Sequence, residues 1–76
     1  MAFIMRKAEF TIDNLLELYP PPIRNTVGRL RRMVLEVAPD ADEKANKGWR
    51  SISYGHAKIG YFCGIFPFDE WVDLVF

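Results

Sequence analysis

Cysteine, histidine, long apolar runs and an excess of either charge are all scarce in this 76-residue chain, and each scarcity closes off a class of function. A single cysteine, Cys63, excludes an internal disulfide framework and a cysteine-based zinc finger, and a reducing cytoplasm is the setting that fits. A single histidine, His56, leaves no pair of imidazoles for a transition metal. Ten basic residues balance ten acidic ones, so electrostatics give no reason to expect a nucleic acid or an anionic membrane as partner. No stretch approaches the roughly 20 apolar residues of a membrane span. The N-terminal Met1 to Lys7 places its charges after a short apolar run, unlike a signal peptide. No catalytic or cofactor motif and no internal repeat stands out.

Apolar residues are abundant, at 50% of the chain. A chain this short buries only roughly 60% of the surface its unfolded form exposes, so the excess points to a partner chain. The densest stretch is Lys58 to Pro67, apolar at odd and even positions, as a strand covered on both faces would be. Alternation would send Ile59, Tyr61, Cys63 and Ile65 to one side and Phe62 and Phe66 to the other.

One domain, residues 1–76, is expected. Residues 1–10 read as an extended arm. A first helix over 12–18 begins at Thr11 as N-cap, with Phe10 and Leu15 as a hydrophobic staple and Asp13 in the first turn. Pro20-Pro21-Pro22 ends it and opens a second helix over 22–38. Ile23, Val27, Leu30, Val34 and Val37 form its apolar stripe, with Arg24, Asn25, Arg29, Arg32 and Glu36 outside. Pro39-Asp40 stops this helix, and 41–48 reads as a polar connector with one helical turn over 41–45. Three strands follow, Trp49–Tyr54, 58–66 and Trp71–Phe76, joined by turns at Gly55-His56-Ala57 and Pro67 to Glu70.

The expected fold is therefore α+β: two N-terminal helices (11–38) on one face of a three-stranded antiparallel meander (49–76). Two short helices cover one face, leaving Phe62, Phe66 and Trp49 or Trp71 on the open side. The last strand leaves an apolar edge ready to pair. A homo-oligomer through the sheet edge or open face is expected.

The run from the first helix to Phe76 resembles the YdhG-like family of small bacterial domains. The matching pieces are Ile23-Arg24 through Leu30-Arg31, Ala38 to Lys44, Gly48-Trp49, Ser53-Tyr54-Gly55, Gly60 to Pro67 and Val72 to Phe76. Their order and spacing carry the likeness. Family members continue with further sheet and a C-terminal helix, so the resemblance implies a shortened version here, its cover supplied by another copy. One branch of the family implies a frataxin-like iron-chaperone role, with no catalytic motif and no cofactor beyond weakly bound iron.

Glu9, Asp13 and Glu17 stand four residues apart and would line one helix face if the first helix began a turn early. Such a carboxylate ridge suits a weak ferrous iron site, since hard oxygen ligands take divalent cations; the plain alternative is a solvated helix face. Asp40, Asp42 and Glu43 read as helix-exit and turn residues. His56, Cys63, Asp69 and Asp73 form no spaced ligand motif. Cys63 as a nucleophile would need His56 as its base, yet it lies among aromatics, where a thiol stays protonated. Arg24, Arg29, Arg31 and Arg32 read as a solvated face, or else a phosphate patch. The aromatic set, with Trp49, Phe62, Phe66, Trp71 and Phe76 foremost, divides between core and an interface or small-ligand groove. The leading expectation is a non-enzymatic, self-associating interaction or small-ligand-binding domain, with a ferrous iron chaperone as the alternative.

Overall fold

The computed structural model describes residues 10–76. The arm read over 1–10 and the acidic residue Glu9 thus fall almost wholly outside the described residues. The first helix, α1 (Ile12–Leu16), opens with a reciprocal cap. The Thr11 hydroxyl accepts the Asn14 N–H at 3.1 Å, and the Asn14 side chain accepts the Thr11 N–H at 3.0 Å. It ends two residues short of the expected 18, because the chain must leave helical geometry ahead of Pro20.

Helix α2 (Pro21–Val37) begins with two prolines in its first turn, where missing amide hydrogens cost nothing. Ile23, Val27 and Val34 are buried and Leu30 is partly so, as the stripe requires. Val37, the last member, is 87% exposed at the C-terminal end of the helix.

Four strands, not three, form one antiparallel sheet: β1 (Asp42–Asn46), β2 (Ser51–His56), β3 (Gly60–Pro67) and β4 (Val72–Val75), in that spatial order. The α+β class stands, and the sheet begins at Asp42 and not at Trp49. The segment expected as a connector with a helical turn is β1, paired from Asp42 opposite Gly55 to Asn46 opposite Ser51. Its turn to β2 holds Trp49, whose N–H reaches the Asn46 side chain at 3.2 Å, and Arg50 with a φ of 48°. Gly55 and His56 belong to β2, and the following turn is instead 57–59.

The central strand carries a bulge. Tyr54 pairs with Cys63 and Gly55 with Tyr61, so Phe62 is an extra residue in β3. One inserted residue reverses the faces of everything before it. Phe62 therefore joins Cys63 and Ile65 on the helix side, and Tyr61 turns to the open side, the reverse of the simple alternation. In β4 the alternation is as read: Leu74 sits opposite Ile65 on the helix side and Asp73 opposite Phe66 on the other.

The core gathers Leu15, Tyr19, Ile23, Val27, Val34, Ile52, Tyr54, Cys63 and Ile65 between the helices and the sheet. Beside it, Glu43 of β1 accepts two hydrogen bonds from Arg31 of α2, at 2.8 and 2.9 Å, and one from the Tyr54 hydroxyl at 2.5 Å. The two side chains are 31% and 15% exposed, so the pair is largely withdrawn from water. The Arg31 hydrogen bonds hold the Glu43 carboxyl below its ordinary range, with burial opposing and Tyr54 assisting. Burial, then the bond to Glu43, pushes the Tyr54 hydroxyl well above its ordinary value. Glu43 was expected in a turn and Arg31 on a solvated face; together they tie α2 to the far edge of the sheet.

Replacing Glu43 by Gln should cost about 2 kcal/mol in urea unfolding at pH 7, since Arg31 is left half-buried without a countercharge. A carboxyl lowered by folding stabilises fully above its unfolded value, about 4.3, and loses that contribution as pH falls through the lower folded value. The gap between wild type and Glu43→Gln should therefore narrow below about pH 4. Equal stability at pH 7 would show that the ion pair contributes nothing.

Candidate functional site

The bulge builds a groove at the β4 edge. By placing Phe62 on the helix side it sets this ring beside Val34 and Val37 of α2 and the following Ala38, with Met33, Leu74 and Phe76 completing an apolar cleft of about 130 Å³. Met33, Val37 and Phe76 are exposed there, Phe76 at 83%. Beyond them lies the outer edge of β4, which no strand among the described residues pairs. The opposite edge differs in chemistry, because β1 carries Asp42, Glu43 and Lys44 among its five residues. Charges of this kind blunt an edge against unwanted pairing, and β4 has only Asp73.

The open face of the sheet carries a second feature. Asn46, Trp49, Ser51, Ser53, Tyr61 and Phe66 line a groove of about 270 Å³. Two of its lining rings close over Gly64, where an added Cβ would stand 2.7 Å from the Tyr61 hydroxyl and 2.9 Å from the Phe66 ring. Glycine here lets two aromatic rings close over the strand backbone. Trp49 is 75% exposed at the rim.

The five aromatics foremost as interface or groove candidates separate into three places. Phe62 and Phe76 meet at the β4 edge, Trp49 and Phe66 share the open face, and Trp71 stacks on Phe68 in the last turn with ring centroids 4.8 Å apart. Met33 was not singled out; Val37 was read as the last member of the α2 stripe, and Tyr61 was placed on the face of Cys63 and Ile65, a placement the bulge reverses.

Of the acidic ridge, Asp13 and Glu17 are exposed on and just after α1, which begins at Ile12, and Glu9 lies outside the described residues. Among the described residues no three His, Cys, Asp or Glu side chains gather as a metal cluster. Of the four arginines, Arg24, Arg29 and Arg32 are exposed, while Arg31 is committed to Glu43.

His56 is also engaged. Its Nδ1 accepts the Lys58 N–H at 3.1 Å, so Nε2 carries the proton and donates to Asp40 at 2.8 Å. That bond holds the Asp40 carboxyl below its ordinary range. None of these bonds reaches Cys63, which is fully buried opposite Tyr54, and burial pushes its thiol up. A base, an orienting acid and an accessible thiolate are not assembled here. Cys63 should therefore resist a thiol reagent in native buffer and react only as the chain unfolds in urea, read by absorbance at matched denaturant steps. Fast native labelling would restore it as a reactive centre. The chain matches no family model, no curated protein and no solved structure, so these surfaces stand on its own geometry.

Proposed function

We propose that this chain is a non-enzymatic interaction domain whose partner is a second copy of itself, joined along the β4 edge. One observation carries the reading: the two edges of the sheet are unlike, one charged and one apolar, and the apolar edge is bordered by exposed Met33, Val37 and Phe76. Exposed apolar surface beside an open strand is the arrangement that strand addition uses, with main-chain hydrogen bonds for affinity and side-chain contacts for selectivity. A formal net charge of zero removes long-range repulsion between copies.

A cytoplasmic setting accords with a lone, buried thiol. No helix among the described residues is long and apolar enough to cross a membrane. The open-face groove with Trp49, Tyr61 and Phe66 remains accessible when the edge is paired, which gives the assembled domain a separate aromatic surface for a small molecule or a further protein.

Sedimentation equilibrium over a range from a few to several hundred micromolar tests this reading. The 8.8 kDa chain should show twice its mass at the upper end. Phe76→Lys, a change at an exposed position that leaves the core untouched, should shift the association at least roughly tenfold toward monomer by replacing apolar contact surface with a charge that pairing would have to desolvate. A single-chain mass throughout the range would end the proposal.

A further inference from the structure

The backbone of β4 fixes which of its groups are free. Phe68 donates its N–H to the Trp71 carbonyl at 2.8 Å, so that pair is hydrogen-bonded across the last turn. Bonded and non-bonded pairs alternate along an antiparallel ladder. Pro67, which has no amide hydrogen, therefore falls in a non-bonded pair opposite Val72, as proline in a sheet must. Continuing the alternation, Asp73 and Val75 turn their N–H and C=O groups inward to Phe66 and Gly64. Val72 and Leu74 turn theirs outward, to the unpaired edge.

A second copy pairing antiparallel must match outward groups to outward groups, so odd residues face odd and even face even. Two such registers centre the two-fold axis on an interior residue of β4. Centring on Asp73 sets Asp73 directly against Asp73 of the second copy in a close, non-bonded pair, and like charges so placed destabilise a ladder. Centring on Leu74 sets Asp73 opposite Val75 and brings Val72 opposite Phe76, with no facing charges. The two-fold then runs perpendicular to the sheet and leaves both pairs of helices on the same side. Met33 and Val37 of each α2 are carried toward those of the other copy, over the cleft that Phe62 lines.

We infer that two copies join in the Leu74-centred register, making one continuous eight-stranded antiparallel sheet with Leu74 opposite Leu74. This rests on the self-association proposed above and adds its geometry. Bonded antiparallel pairs hold their Cα atoms about 5.5 Å apart, within the span a disulfide bridges.

The test uses cysteine variants of the full chain, with Cys63→Ala in each, oxidised by glutathione disulfide and read on non-reducing gels beside sedimentation of the reduced samples. Leu74→Cys alone should cross-link to a dimer at least roughly tenfold more than Asp73→Cys alone. An equimolar mixture of Asp73→Cys with Val75→Cys, both changes pointing away from the core, should cross-link as a heterodimer while neither does so by itself. Cross-linking of Asp73→Cys alone, or of no variant while the reduced chain sediments as a dimer, would overturn the register and leave self-association standing. Monomeric mass with no cross-link would overturn both.

Discussion

The Glu43 carboxylate is the point on which this small sheet depends. The segment Asp42 to Asn46 has little to recommend it as a strand, since Asp, Glu, Lys, Ala and Asn are all poor strand formers. Besides its ladder to β2, it is held by one acceptor that takes two donors from Arg31 and one from Tyr54, one residue on each of the layers that must meet. Such a network is strong only when fully satisfied, and here no buried side-chain polar atom among the described residues lacks a partner. With β1 in place, β2 and β3 are both interior strands and the charged edge is closed to casual pairing.

The bulge at Phe62 works on the other half of the molecule. It supplies a large apolar side chain to the helix face near β4, beside the C-terminal end of α2, and it sends Tyr61 across to lie over Gly64. The same inserted residue thereby sets the apolar cleft at the open edge and the aromatic groove on the open face. The fold is asymmetric as a result: polar and tied down at β1, apolar and unfinished at β4. That asymmetry is the observation on which the proposed pairing of two copies rests.

Much of this was legible in the residues. The Thr11 cap, the prolines that open α2, its stripe from Ile23 to Val34 and the alternation of Val72, Leu74 and Phe76 all follow from local rules that the tertiary structure leaves intact. β1 was not legible, because its strand character comes from Arg31 and Tyr54, distant in sequence, and overrides its own propensity. The faces of Tyr61 and Phe62 were not legible either, since a bulge leaves the composition of a strand unchanged while reversing its parity. Of the aromatics named as interface or groove candidates, Phe62 was expected on the open face and lies with Phe76 on the helix side, Trp49 and Phe66 share the open face, and Trp71 stands apart on Phe68.

Amide hydrogen exchange along β4, followed by NMR at a concentration well above and one well below association, tests the central claim most directly. The Asp73 and Val75 amides, directed into the sheet, should stay protected in both samples. The Val72 and Leu74 amides should be protected when concentrated and exchange at open-strand rates when dilute, because in the proposed pairing a second copy closes their edge. Exchange at open-strand rates for Val72 and Leu74 at both concentrations, with Asp73 and Val75 still protected, would show an intact fold whose β4 edge pairs with nothing and would contradict the account.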